Sequence, residues 1–152
     1  MGDNDRETLV IERMTETDIP EVHATEIASF SVPWSAKMFL DEVLNPMSRP
    51  MVGRIDGGIA GYICAGIILD EGHILDLAVH PSLKLRGIGT SLLGETLHYL
   101  RTSGCRSVFL EVRASHTGVI GFYEKSGFSL IATRKCYYVN PLDDAAIMTI
   151  RF

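Results

Sequence analysis

The segment Lys84-Leu85-Arg86-Gly87-Ile88-Gly89-Thr90 constrains the fold of this 152-residue chain more than any other. It follows a hydrophobic run, Ile74 to Val79, and precedes an amphipathic pattern from Ile88 to about Leu100. A strand that passes into a helix through two glycines can turn tightly, and the first unpaired amides of the helix then converge on one point. The positive end of the helix favours an anion there, and Lys84 and Arg86 add whole charges beside it. A phosphate or pyrophosphate carried by a cofactor fits that description. Such a turn can also be mere geometry, so the segment alone leaves both readings open.

The next segment, Val108-Phe109-Leu110-Glu111-Val112-Arg113-Ala114-Ser115, reads as a strand ending at a helix cap. The following helix is expected from about His116 to Ser126, with Ser115 as N-cap and Gly127 as the stop. A strand between two helices is expected to be buried on both faces. Glu111 in its middle is then costly unless paired or protonated. Tyr123 follows two turns into the helix.

Length and composition fit one soluble globular domain: 46% hydrophobic residues, 22% charged and a formal net charge of −5. That charge argues against a binder of nucleic acid driven by phosphate contacts and is compatible with a basic protein partner. Cys64, Cys105 and Cys136 are odd in number and widely spaced in apolar contexts, and read as reduced core thiols of a cytoplasmic protein. Residues 1–7 are acidic and polar, unlike a signal peptide, and are expected to be disordered ahead of a domain spanning 8–152. No apolar stretch is long enough to span a bilayer. His23, His73, His80 and His98 show no metal-ligand spacing, so no metal is expected.

Hydrophobic patterning predicts a first strand over Thr8 to Met14, then a helix capped by Asp18 with Glu21 three residues on. Ile19, Val22, Ile27 and Phe30 fall at helical spacing on one face. Ser35 caps a second helix through Leu44, which Asn45-Pro46 ends. Strands follow at Pro50 to Ile55, Ala60 to Leu69 and Ile74 to Val79, with turns at Asp56-Gly57-Gly58 and Asp70-Glu71-Gly72. The chain closes with strands from Ser129 to Val139 and from Ala145 to Phe152. The order of elements predicts an α/β fold with a mixed sheet flanked by helices.

The run from Lys84 to Phe128 resembles the acetyl-CoA-binding core of the GNAT (Gcn5-related) N-acetyltransferase superfamily. Leu110-Glu111-Val112-Arg113-Ala114-Ser115, Phe122-Tyr123-Glu124 and Gly127-Phe128 are similar to the ribosomal-protein-alanine N-acetyltransferases. So are Pro33-Trp34-Ser35, Arg134, Tyr137-Tyr138, Pro141, Asp144-Ala145 and Met148. The resemblance implies a largely antiparallel central sheet of about seven strands with about four helices. It implies acetyl-CoA as donor, held by the amides of Leu77, Ala78 and Val79 and by a loop of Leu85, Arg86, Gly87, Ile88, Gly89 and Thr90. It also implies a protein N-terminus as acceptor, that of a ribosomal protein beginning with alanine. Lys84 stands where the pattern has Gln or Arg, and His116 stands where a cofactor-contacting Asn is usual.

Acyl transfer to an amine needs a base for the amine, a stabilised oxyanion and a proton for the departing thiolate. Glu111 is the candidate base, since burial would raise its pKa toward the working pH. A structural ion pair with a cation such as Arg113 is the alternative, and the resemblance favours the base. Tyr123 is the candidate acid, because a phenol with a pKa of ~10 keeps its proton. By itself it reads as a core ring with a wet tip, and its place in the family motif favours the acid. Trp34, Tyr137 and Tyr138 are candidate acceptor contacts. Trp34 also suits a core position, and the two tyrosines are expected on opposite faces of a strand.

Rival readings are a dinucleotide-binding enzyme, a non-catalytic acyl-CoA sensor, and an acetyltransferase of lysine side chains or of varied N-termini. Leu92 occupies the third glycine position of the dinucleotide fingerprint. A sensor needs neither Glu111 nor Tyr123. Fold alone does not settle the acceptor.

Overall fold

A computed structural model describes residues 8–152; the expected disorder of residues 1–7 lies outside them. Seven strands and four helices follow the order β1 (Val10–Arg13), α1 (Ile19–Ser29), α2 (Ala36–Leu44), β2 (Met51–Ile55), β3 (Gly58–Ile68), β4 (Glu71–Val79), α3 (Ile88–Thr102), β5 (Ser107–Arg113), α4 (Thr117–Lys125), β6 (Ser129–Val139) and β7 (Leu142–Arg151). Hydrogen-bonded neighbours run β1-β2-β3-β4-β5-β7-β6. The β4–β5 pairing is parallel, while β1–β2, β2–β3, β5–β7 and β6–β7 are antiparallel. That is the mixed, mostly antiparallel sheet expected. No helix among the described residues is long and apolar enough to cross a membrane.

The chain groups into two compact units, and β3, β4 and α3 each contribute to both. The first comprises residues up to Cys64 together with Asp76–Thr96. Its core joins Met14, Val22, Phe39, Val52, Tyr62 and Cys64, all at most 1% exposed. The β2–β3 hairpin closes through Asp56 and Gly57, both at positive φ (52° and 81°), so the predicted turn is a two-residue primed turn. Gly61 on β3 is required by close approach. A Cβ there would lie 2.8 Å from the Ala78 carbonyl oxygen and within 3.3 Å of Leu92 and Ile88.

Local chemistry at the start of α1 differs from expectation. Asp18 occupies the boundary position, but its backbone is helical and its side chain makes no cap to α1. It serves the preceding 3-10 turn, Glu16–Asp18, accepting from the Thr15 amide at 2.9 Å and pairing with the Arg54 guanidinium. Burial would raise the Asp18 pKa, and the hydrogen bonds from Arg54 and Thr15 outweigh it and hold the carboxyl below its usual value. Glu21 accepts the Ile59 amide at 2.6 Å instead of completing a box. The buried stripe of α1 is Ile19, Val22, Thr25 and Glu26, whereas Ile27 is 56% exposed and Phe30 36%. Ser35 does cap α2, accepting from Met38 N at 3.2 Å.

The second unit comprises Ala65–Leu75 and Leu97–Phe152. Leu100, Val108, Leu110, Tyr123, Phe128 and Met148 are among its buried residues. The β3–β4 turn is Leu69-Asp70, one position earlier than predicted, with Leu69 at φ 57°. The N-cap of α4 is His116, not Ser115, whose hydroxyl donates to the Asp143 carboxylate. Gly127 at φ 103° ends that region as expected, with the Phe128 amide returning to the Tyr123 carbonyl at 3.0 Å. Cys64 and Cys105 are buried, but Cys136 is exposed, so the core-thiol expectation fails there.

Candidate functional site

The strand-to-helix junction of the first unit has the backbone its sequence requires. Leu85 (φ 67°) and Gly87 (φ 77°) both adopt left-handed conformations, and α3 starts at Ile88 with Ser91 N donating to Gly87 O at 3.0 Å. Leu85 and Gly87 supply two left-handed positions within three, and turns of that kind can gather backbone amides around an anion. A side chain at Gly87 would meet no heavy atom within 4 Å, so the space beside this backbone is open. Lys84, Leu85, Arg86, Gly87 and Thr90 are exposed, Gly89 is partly so, and Ile88 is buried and anchors the helix. This open cradle fits a diphosphate. On β4, Ala78 is buried and Leu77 and Val79 are partly covered.

A buried acid cluster lies in the same unit, and the sequence reading passed over it. Glu26 is 1% exposed. Its Oε1 accepts from the Tyr62 hydroxyl at 2.8 Å and its Oε2 from the Trp34 amide at 3.0 Å. Trp34 packs on Phe39 (ring centroids 5.2 Å), and Phe39 meets Tyr62 edge-on at 5.6 Å. Glu26 therefore fastens the loop carrying Pro33-Trp34-Ser35 to β3. Burial, then the neighbouring Glu26, raises the Tyr62 phenol. Asp76 has its Oδ2 sealed from solvent without a hydrogen-bond partner of ordinary geometry. Burial foremost, and Glu26 close beside it, push Asp76 up to about 9. The readable signals were a carboxylate on the stripe Ile19, Val22, Glu26, and an aspartate inside the apolar run Ile74 to Val79.

Glu111 in the second unit departs from expectation. Val108 and Leu110 are buried, and Glu111 faces the other side of β5 with 36% of its side chain exposed. Neighbouring helices in the sequence do not cover both faces of this strand, and Glu111 is not desolvated as expected. The companion cation is also different. Arg113 commits its guanidinium to the carbonyls of Pro141 (2.7 Å) and Asn140 (3.1 Å) and lies 4.4 Å from the Tyr138 ring centre. Arg134 is the cation facing Glu111, at 3.9 Å.

The Glu111 carboxylate raises the Tyr137 phenol above its ordinary value, through hydrogen bonding first and its negative charge second. Arg134 stacks on the Tyr137 ring at 5.5 Å. Tyr137 and Tyr138 do not part to opposite faces: their rings meet edge-on at 5.0 Å. The alternation rule presumes a regular strand, and β6 is irregular between Arg134 and Tyr138. Tyr123 is 5% exposed and packs against Phe122 and Phe128 at 5.1 and 5.5 Å. His116 makes no side-chain cap to α4. Among the described residues no cluster of three or more His, Cys, Asp or Glu side chains could hold a metal ion.

A diphosphate cradle at a strand-to-helix turn, on a mixed seven-stranded sheet, defines a class of acyl-CoA-dependent transferases. The chain belongs to the acetyltransferase (GNAT) family, whose sequence profile matches residues 19–128. It is an N-acetyltransferase, and acetyl-CoA is its acetyl donor. It is 31% identical over 144 residues to the [ribosomal protein bS18]-alanine N-acetyltransferase of Escherichia coli K12, covering 92% of this chain and 95% of that protein. The enzyme of the same name from Haemophilus ducreyi is 32% identical over 144 residues, covering 93% and 99%. The crystal structure of the ribosomal-protein-S18-alanine N-acetyltransferase from Escherichia coli superposes with a TM-score of 0.88 at 29% identity, covering 95% and 94%.

Proposed function

We propose that the protein acetylates the α-amine of a ribosomal protein that begins with alanine, by direct attack of the amine on the acetyl thioester. The single observation that carries the chemistry is Glu111, a solvent-reachable carboxylate held by Tyr137 and Arg134. The likeness to bS18-alanine acetyltransferases over 92% of the chain supports the acceptor. Acetyl-CoA is held by the backbone of Leu77, Ala78 and Val79 and by Leu85 to Thr90, with His116 contributing from the start of α4. The amine nitrogen forms a bond to the carbonyl carbon and the carbon–sulfur bond breaks. Glu111 takes the proton lost by the nitrogen, and Tyr123 gives its proton to the departing thiolate.

An α-amine suits this machinery. Its pKa of ~7.7–8.0 leaves part of it neutral near pH 7, whereas a lysine at ~10.4 is almost wholly charged. Glu111 therefore has less work to do on an N-terminus. Trp34 in the first unit and Tyr137 and Tyr138 in the second are the acceptor contacts in this reading, and the reaction takes place in the cytoplasm, where ribosomal proteins are made. The test is a pair of peptides with labelled acetyl-CoA. A peptide starting with the alanine of the ribosomal protein should be acetylated far faster than the same sequence with a blocked terminus and a free lysine. The reverse preference would sink the acceptor assignment and leave the acetyltransferase intact.

A further inference from the structure

β6 carries a defect whose consequence is chemical. Arg134 pairs with Ala145 of β7, and Tyr138 pairs with Asp143. Four steps along β6 thus match two along β7, an excess of two residues, and Cys136 inside the excess sits at φ 54°. A left-handed non-glycine residue is strained and persists only where its surroundings hold it. In an unbroken strand Tyr137 would point away from the face shared by Arg134 and Tyr138. The bulge swings it back beside Arg134, whose guanidinium lies 5.5 Å from the Tyr137 ring centre and 3.9 Å from the Glu111 carboxylate.

The holding group is Asp144. One carboxylate oxygen accepts the Cys136 amide at 2.8 Å, and the other pairs with Lys135 at 3.3 Å. Its own backbone is fixed as well: the Ala114 amide donates to the Asp144 carbonyl at 2.9 Å, and the Asp144 amide donates to Asp143 Oδ1 at 2.8 Å. Asp144 therefore ties both bulged residues, Lys135 and Cys136, to Ala114 at the end of β5, next to Arg113 and three positions beyond Glu111. Nothing in this arrangement needs Asp144 to touch a substrate.

We propose that Asp144 is a positioning residue, which locks the β6 bulge so that Tyr137 and Arg134 clasp Glu111 and aim its carboxylate at the acceptor amine. The catalytic part of this statement rests on the reading of Glu111 as the base; the structural part does not. With the lock in place the carboxylate is confined between a phenol and a guanidinium. Without it β6 can return to regular pairing, and Tyr137 leaves with the defect.

The experiment compares Asp144→Ala with Asp144→Asn, whose amide oxygen can still accept the Cys136 amide. The first readout is the ionisation of Tyr137, followed by phenolate absorbance as the difference between each protein and its Tyr137→Phe counterpart. In the wild type and in Asp144→Asn it occurs above the ordinary tyrosine range, because Glu111 opposes it. In Asp144→Ala it returns toward that range. The second readout is peptide acetylation: kcat/KM for Asp144→Ala falls on the order of 10²-fold, as ångström-scale misplacement does, with acetyl-CoA affinity unchanged and recovery in Asp144→Asn. Should Asp144→Ala not fold, Cys136→Val attacks the same bulge through its backbone, and the same two losses are expected. An unchanged Tyr137 titration in a folded Asp144→Ala or Cys136→Val protein overturns the proposal. Activity that persists in Glu111→Gln would refute the base assignment instead, and the Tyr137 titration would still report on the lock.

Discussion

Glu26 on α1 is 1% exposed and accepts a hydrogen bond on each carboxylate oxygen, whereas Glu111 on β5 keeps 36% of its side chain open and is held by Tyr137 and Arg134. Both have apolar neighbours in the sequence, and only Glu111 lies in a motif that implies chemistry. The comparison separates two uses of one functional group. A carboxylate sealed on all sides with both oxygens engaged is a fastener, since no substrate proton can reach it and its partners are backbone and core. A carboxylate on the uncovered face of a strand, flanked by a phenol and a cation, can exchange a proton while its direction is controlled. Burial by itself would single out Glu26 rather than Glu111, the proposed base.

The largest effect should come from Glu111→Gln. Turnover is expected to fall ~10²–10⁴-fold, the range for loss of a general base, with melting temperature and acetyl-CoA affinity close to wild type. Tyr123→Phe should lower turnover comparably through the leaving thiolate. Steady-state kinetics with calorimetry on the same preparations checks both. Near-normal turnover in Glu111→Gln would erase the distinction drawn between the two carboxylates.

Glu26→Ala should act on the other side of the comparison. It strands the Trp34 amide and the Tyr62 hydroxyl, at a cost of roughly 1–3 kcal/mol per buried group left without a partner. Denaturant unfolding should show that loss, and the acceptor KM should rise more than kcat falls, because the Trp34 loop is released. Glu26→Gln can still accept one of the two bonds and should lose less. Equal stability of the alanine variant and the wild type would show that the fastener is idle.

Gly61→Ala tests the packing of the first unit at a smaller scale. A methyl group 2.8 Å from the Ala78 carbonyl must move β4 or the α3 side chains Leu92 and Ile88, and such overpacking costs typically 1–3 kcal/mol. Since Ala78 belongs to the strand proposed to hold the acetyl end of the donor, acetyl-CoA binding should weaken along with stability. A calorimetric titration that matches wild type would mean the displacement is absorbed elsewhere.

Backbone features were the most legible in the sequence. The Gly87 turn, the Asp56-Gly57 hairpin, the Ser35 cap and the Gly127 stop follow from local conformational rules and stand where expected. What stayed hidden depended on which residues meet across the sheet. The face of Glu111 is set by which side of β5 is covered, and the Tyr137–Glu111 contact depends on an excess of two residues that alternation cannot announce. Asp18 and Glu21 suit a helix cap by spacing, but Arg54 and the Ile59 amide from the β2–β3 hairpin claim their carboxylates. The Ile27 and Phe30 positions have helical spacing yet point outward, because Thr25 and Glu26 take the buried stripe.

Asp76→Asn gives the subtlest test, read as a trend with pH. Burial and Glu26 push Asp76 up from 3.8 to about 9, so the folded protein keeps this proton through neutrality while the unfolded chain releases it near its ordinary value. Between those two values the folded state binds more protons than the unfolded one. Unfolding free energy contributed by this group therefore falls as pH rises, by at most ~1.4 kcal/mol per pH unit, and levels off above about 9. The variant cannot ionise there, and its neutral side chain stands in for the protonated acid. Its stability relative to wild type should thus improve steadily from pH 5 to pH 9, measured by urea midpoints in matched ionic strength. Parallel curves for the two proteins would mean that Asp76 ionises freely in the fold.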